Sequence, residues 1–174
     1  MKFLNFLPIF FLSAYTYSCS DLLDTEIRVL DSSKTVNLCE YTNHVVLVVN
    51  VASRCGYTYQ YSSLQKLYES YKENDFVVLG VPSRDFMQEY SDEGDVAEFC
   101  STEYGVDFPM FATSRVRGQK ASPLYKKLIA KSGVSPKWNF NKYLISREGE
   151  VVSTYGSSVK PDSIELISKI EELL

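Results

Sequence analysis

The feature that most constrains the fold is an uninterrupted run of apolar, mostly β-branched residues over 45–51, in which Asn50 is the single polar member. Such runs are typical of strands buried on both faces, in sheets that helices cover on both sides. A second run spans 76–81, and the segment 59–71 between them carries apolar side chains at helical spacing. The pattern predicts two parallel strands joined by a crossover helix.

The remaining segments predict further helices and strands. Helices are expected over 95–104, 123–131 and 161–174, a short extended piece over 108–111, and a hairpin with strands 143–146 and 151–155. This order fits a thioredoxin-like α/β fold, a central mixed sheet flanked by helices. Because 174 residues with 45% hydrophobic composition suit a single core, we expect one domain over 21–174.

The first twenty residues differ from the rest of the chain. A lysine at position 2 precedes the apolar stretch 3–14, a small polar stretch follows at 18–20, and charged residues begin at Asp21. This layout predicts a secretory signal peptide over 1–20, and therefore a secreted or periplasmic protein.

Two other interpretations of the N-terminal segment are weaker. The apolar stretch is shorter than the roughly 20 residues that span a bilayer, and Pro8 interrupts it, which disfavours an uncleaved membrane anchor. Lipid attachment at Cys19 is disfavoured because Tyr17 is bulky.

Charge and cysteine content restrict the class of function. The formal net charge of −4 leaves no basic surplus for a phosphate backbone, so we expect no nucleic-acid partner. His44 is the single histidine, so we expect no metal site. The four cysteines are Cys19, Cys39, Cys55 and Cys100. If Cys19 leaves with the signal peptide, an odd number remains, which indicates a free or reactive thiol; Cys39 is interpreted as a core residue.

Cys55 follows the first buried run, at the point where small and polar residues predict a turn into a helix. Unpaired backbone N–H groups and the positive end of the helix dipole favour a thiolate there, and Arg54 adds a neighbouring cation. Gly56 leaves room for a small substrate to approach the backbone. The alternative is that Cys55 is a small buried hydrophobe.

The sequence around Cys55 resembles the glutathione peroxidase family. The resemblance begins with NVASRCGYT at 50–58 and extends from about residue 24 to the C-terminus. Further similar blocks follow in the family's order: Leu79–Pro82, Phe86, Gln88–Glu89, Phe99–Cys100, Phe108–Pro109, Pro123–Tyr125 and Trp138–Phe140. The resemblance implies a peroxidase on a thioredoxin-like fold that needs no cofactor.

The resemblance also implies a catalytic group of Cys55, Gln88, Trp138 and Asn139. A thiolate that attacks a peroxide needs a proton for the departing oxygen and donors for the developing charge. The amides of Gln88 and Asn139 and the indole of Trp138 supply neutral N–H donors. Taken singly, each of these three has a plain alternative: core packing for the indole and ordinary surface polarity for the amides.

Cys100 matches the resolving position of family members that use thioredoxin, so we expect it to form a disulfide with Cys55. The expected substrate is a peroxide, and the expected reductant is a thioredoxin-like protein or else glutathione. The chain departs from the family where Ser83 replaces a cysteine and where the segment between Phe86 and Gln88 is one residue shorter. It also lacks the insertion associated with tetramers, so we expect a monomer.

Two other functions compete. An extracytoplasmic thiol–disulfide oxidoreductase on the same fold is disfavoured because Thr58 stands where a C-x-x-C motif has its second cysteine. A non-enzymatic thioredoxin-fold module would use Cys55 and Cys100 as a structural disulfide.

Overall fold

The computed structural model describes residues 18–174. The strands are β1 (Glu26–Arg28), β2 (Thr35–Asn37), β3 (Val45–Val51), β4 (Phe76–Pro82), β5 (Lys142–Ile145) and β6 (Val151–Tyr155). The α-helices are α1 (Gln60–Tyr71), α2 (Glu93–Tyr104), α3 (Pro123–Ser132) and α4 (Ile164–Leu173).

The central sheet has the strand order β4-β3-β5-β6. β3 and β4 are parallel, whereas β5 is antiparallel to both β3 and β6. The predicted mixed sheet and parallel β3–α1–β4 unit are therefore confirmed. Because Val51 is opposite Pro82 in the register, the loops that follow β3 and β4 begin at the same end of the sheet.

The core has two layers because the side chains of β3 alternate between the faces of the sheet. Leu47, Val49 and Val51 contact one layer, which includes Leu64 of α1. Val46 and Val48 contact the other layer, which includes residues of α3. Burying an aliphatic side chain of this size contributes about 1.5–3 kcal/mol, so β3 is stabilised from both faces.

Two helix boundaries differ from the sequence prediction because of capping side chains. The Asp92 carboxylate accepts a hydrogen bond from the Gly94 amide (2.8 Å), so α2 begins at Glu93 rather than at residue 95. The Ser163 hydroxyl accepts from the Leu166 amide (3.4 Å), so α4 begins after residue 163 rather than at 161.

The N-terminal part of the domain contains two features that the sequence did not predict. One is a separate hairpin of β1 and β2. The other is a disulfide between Cys19 and Cys39. The interpretation of Cys39 as a core residue was wrong, because its side chain is half-buried and bonded to Cys19.

The predicted signal peptide falls almost entirely on residues 1–17, which lie outside the described residues. Within 18–174, no helix combines the length and the apolar character needed to cross a membrane.

Candidate active site

Cys55 lies on the loop after β3, about one turn ahead of α1. The Thr58 hydroxyl shapes this loop, because it donates to the Ala52 carbonyl (2.9 Å) and accepts from the Cys55 amide (2.9 Å). The Tyr57 amide donates to Cys55 Sγ (3.4 Å). Cys55 is 9% exposed, and its sulfur faces an N–H donor, as expected for a cysteine where a strand gives way to a helix.

Gln88 connects the Cys55 loop to Asn139. Its backbone carbonyl accepts from the Arg54 amide (2.9 Å), and its side-chain Oε1 accepts from Asn139 Nδ2 (3.0 Å). Asn139 is fully buried, so this bond fixes the orientation of both amides. Of the four predicted catalytic residues, the structure therefore brings Cys55, Gln88 and Asn139 into one region.

Asn50, the polar residue of β3, holds the loop that carries Trp138 and Asn139. Its Nδ2 donates to the Trp138 carbonyl (2.9 Å) and its Oδ1 accepts from the Asn141 amide (3.1 Å). Phe140, which lies between Trp138 and Asn141 in the chain, has a positive φ of 60°, which turns the loop sharply. Sequence reasoning did not assign this role to Asn50, although a single amide within a buried apolar run is a signal, because buried polar groups need partners.

Glu89 fastens the loop after β4 to the Cys55 loop. Its Oε1 accepts from the Ser53 amide (3.1 Å) and from the Tyr90 amide (2.8 Å). Burial raises the pKa of this carboxyl above its usual value. The Arg54 guanidinium lies over the Tyr90 ring (4.2 Å). Glu89 was named in the sequence only as part of a family-like block, and no pattern indicated this contact.

Trp138 lies at the rim of the site, where its side chain is 41% exposed. Its ring packs against Phe86 at a centroid distance of 5.3 Å, and the Arg117 guanidinium lies 4.4 Å from the Phe86 ring centroid. Met87, next in sequence, is 92% exposed. The rim therefore combines aromatic and apolar side chains with a cation.

Cys100 is buried in the interior of α2, and the Tyr61 hydroxyl lies beside its sulfur. Burial raises the pKa of the Cys100 thiol to about 11, so it is a weak nucleophile while the helix is intact. Cys55 and Cys100 are both free thiols. The structural disulfide required by the non-enzymatic alternative is therefore absent from the described residues.

Lys142 is a fully buried lysine behind the site. Its Nζ donates to Gln60 Oε1 (2.8 Å) at the start of α1 and to the Phe140 carbonyl (2.7 Å). Burial lowers the pKa of Lys142 to about 7. This lysine thus links the helix after Cys55 to the loop that carries Asn139, a connection that its place in a strand did not suggest.

Two other kinds of site were considered from the sequence, a C-x-x-C redox motif and a metal site. Thr58 is occupied by its two hydrogen bonds within the Cys55 loop, so the position of a second C-x-x-C cysteine has a structural use instead. In the part of the chain that the structure describes, no group of three His, Cys, Asp or Glu residues is arranged to hold a metal ion.

The mixed sheet, with the free thiol of Cys55 on the loop after the parallel strand β3, defines a thiol protein of the thioredoxin-like fold. The family model for glutathione peroxidase matches residues 22–129. A glutathione peroxidase homologue of Halalkalibacterium halodurans is 47% identical, with 79% of this chain and 89% of that protein covered. The chain belongs to the glutathione peroxidase family, and it is a peroxidase.

Two further similarities agree with this assignment. A hydroperoxy fatty acid reductase of Synechocystis sp. is 44% identical, with 84% of this chain and 92% of that protein covered. The crystal structure of Trgpx in its apo form matches with a TM-score of 0.71 and 34% identity, covering 88% of this chain and 95% of the other.

Proposed function

We propose that this chain is a two-cysteine thiol peroxidase in which Cys55 attacks the peroxide and Cys100 resolves the product. The observation that carries the proposal is the bond from Asn139 to Gln88, combined with the bond from Arg54 to Gln88, beside a sulfur that receives an N–H. A nucleophile and several fixed neutral donors in one place are what peroxide cleavage requires.

The first step consumes the peroxide. The Cys55 thiolate forms a bond to one peroxide oxygen while the O–O bond breaks, and the departing oxygen takes up a proton and leaves as an alcohol or water. Cys55 becomes a sulfenic acid, the first stage of thiol oxidation. Because one amide N–H of Asn139 is held by Gln88 Oε1 (3.0 Å), the Gln88 carboxamide is oriented and its own N–H groups stay available for the oxygen that leaves.

The second step closes a disulfide. The Cys100 thiol displaces the hydroxyl of the sulfenic acid, so that an S–S bond forms and water leaves. Cys100 is 2% exposed within α2, so we expect local unwinding of this helix to expose its sulfur to Cys55. A dithiol protein of the thioredoxin type then reduces the disulfide through a mixed disulfide and returns both thiols.

The rim favours an organic hydroperoxide over hydrogen peroxide as substrate. Trp138, Phe86 and Met87 present aromatic and apolar surface beside the site, and hydrogen peroxide has no apolar part to contact them. The hydroperoxy fatty acid reductase of Synechocystis sp. gives a precedent in the family for a hydrophobic substrate. A lower KM for a fatty acid hydroperoxide than for hydrogen peroxide is expected.

Glutathione is the alternative reductant. Arg54, Arg84 and Lys137 are exposed cations near the site, but Arg54 is stacked on Tyr90. The buried thiol of Cys100 instead favours a thioredoxin-like donor, because a resolving cysteine produces the disulfide that such donors reduce. We further propose that the protein acts as a monomer outside the cytoplasm, on the strength of its short 128–137 segment and its signal-like N-terminus.

The test measures peroxide consumption with thioredoxin and with glutathione for the wild type, Cys55→Ser and Cys100→Ser. We expect no consumption by Cys55→Ser. Cys100→Ser should consume one equivalent of peroxide, form a sulfenic acid that a specific reagent traps, and then stop with thioredoxin. Full turnover of Cys100→Ser with thioredoxin would exclude the resolving role, and consumption by Cys55→Ser would exclude the proposed nucleophile.

A further inference from the structure

The Cys19–Cys39 disulfide lies outside the active site and outside the proposed reaction. It joins residues 20 positions apart, and their Cα atoms are 5.3 Å apart, within the usual range for a disulfide. Cys55 and Cys100, in contrast, are both thiols. The chain therefore contains two pairs of cysteines in different states.

We infer that Cys19–Cys39 is a permanent structural cross-link of the mature protein, that export processing cuts the chain upstream of Cys19, and that the Cys19 sulfur carries no lipid.

The first support is the burial of the segment that Cys19 begins. Leu22 and Leu23, three and four residues further on, are 0% and 1% exposed and belong to the core layer beneath α3. Cys19 itself packs against that layer. The segment is thus part of the folded domain and not a leader that merely precedes it.

The second support is a set of polar contacts that hold the same segment from two sides. Lys127 of α3 donates through Nζ to the carbonyls of Asp21 (2.6 Å) and Asp24 (2.9 Å). On the other side, Asn37 Nδ2 donates to Asp24 Oδ1 (3.0 Å) and the Leu38 amide donates to the Thr25 carbonyl (3.0 Å). These contacts hold residues 21–25 beside the segment that carries Cys39, so we expect a reduced pair to close again.

The chemistry of the Cys19 sulfur makes the alternatives mutually exclusive. A lipoprotein cysteine holds its lipid through a thioether on the same sulfur, and a thioether sulfur cannot also form a disulfide. A cut after Ser20 would remove Cys19 altogether. Cleavage after Ser18 keeps Cys19 in the mature protein without a lipid on its sulfur. Thr16 and Ser18 are small residues at the two positions before the cut that signal peptidase recognises. The signal peptide would then end two residues earlier than residue 20.

Closing the bond requires an oxidant. The two thiols lose two electrons and two protons to a protein or small-molecule disulfide, which is reduced to two thiols by exchange through a mixed disulfide. Such oxidants act in the periplasm and other oxidising compartments, so formation of the cross-link depends on export.

The decisive experiment expresses the full chain in a bacterium that exports it and maps the purified protein by mass spectrometry without reduction. We expect a peptide that contains Cys19 linked to one that contains Cys39. After brief treatment with thioredoxin, an alkylating reagent should modify Cys55 and Cys100 and leave Cys19 and Cys39 unmodified. A mature N-terminus beyond Cys19, a lipid on Cys19, or alkylation of both Cys19 and Cys39 would each overturn the inference.

A variant measures the structural role. Cys39→Ser should lower the Tm by about 6–12 °C, as expected when a disulfide between residues 20 positions apart is removed from a chain of 174 residues. A strong reductant should lower the Tm of the wild type by a similar amount and leave that of Cys39→Ser unchanged. Peroxide turnover of Cys39→Ser at 25 °C should match the wild type. An unchanged Tm, or turnover lost in a folded Cys39→Ser, would refute a purely structural cross-link. None of these outcomes depends on whether Cys55 is the nucleophile.

Discussion

Replacing the buried Lys142 with methionine tests how the lysine links α1 to the Asn139 loop. The folded-state pKa of Lys142 is about 7, against 10.5 for an exposed lysine. Between these two pH values the unfolded chain binds a proton at this side chain that the folded protein does not. Stability of the wild type therefore rises with pH across the window, and below pH 7 both states are protonated and the contribution is constant.

The size of the effect follows from the interval. One pH unit corresponds to about 1.4 kcal/mol, so the wild type gains about 5 kcal/mol of stability, to order of magnitude, as pH rises from 7 to 10.5. The methionine variant has no such proton. It also leaves Gln60 Oε1 and the Phe140 carbonyl without the Nζ donor, which costs roughly 1–3 kcal/mol for each buried group. This loss does not depend on pH.

The assay is urea denaturation of both proteins at pH 6, 7, 8 and 9. The free energy of unfolding of the wild type minus that of Lys142→Met should increase by about 1.4 kcal/mol per pH unit above pH 7 and stay flat between pH 6 and 7. Lys66→Met, at an exposed position of α1, controls for the loss of a lysine side chain. Parallel curves for the wild type and Lys142→Met from pH 6 to 9 would refute the argument.

Two further predictions concern the loops and helix around the site. Asp92→Ala removes the cap that accepts from the Gly94 amide (2.8 Å) and should destabilise α2 by about 1 kcal/mol. If α2 must unwind for Cys100 to react, the rate of disulfide formation in stopped-flow experiments should increase up to about five-fold. An unchanged rate in a measurably destabilised variant would contradict helix opening as the limiting step. Glu89→Gln keeps an Oε1 acceptor for the Ser53 and Tyr90 amides but removes a carboxyl whose pKa burial raises. Because a raised folded-state pKa means that stability is lost as pH rises through it, the variant should gain stability relative to the wild type between pH 4 and pH 8; an equal difference at both pH values in denaturation experiments would show that Glu89 is not perturbed.

The sequence predicted the parts of the fold that depend on local pattern. β3, α1 and β4 were expected because each is a continuous apolar or amphipathic segment, and the structure confirms all three. β1 and β2 were missed because each has three residues, too few for a period to be recognised. The disulfide was missed because cysteine spacing does not reveal connectivity.

The site was predictable only in part, for a related reason. Cys55 follows a recognisable strand, and Gln88, Trp138 and Asn139 came from resemblance to a family. The contacts that position them join distant parts of the chain, such as the bond from Asn50 to Trp138, 88 residues apart. No local pattern encodes such a pair, because each partner is chosen by the packing of the sheet and its loops.

β3 has hydrogen-bonded neighbours on both edges, β4 and β5, whereas α2 lies outside the sheet. In amide exchange, the backbone of β3 should therefore be among the last to take up deuterium, and that of α2 should become unprotected first when Cys55 is oxidised. The sulfur that meets the oxidant follows a strand that is hydrogen-bonded on both edges. The motion between the two redox states is then expected mainly in α2, which has no hydrogen-bonded strand beside it.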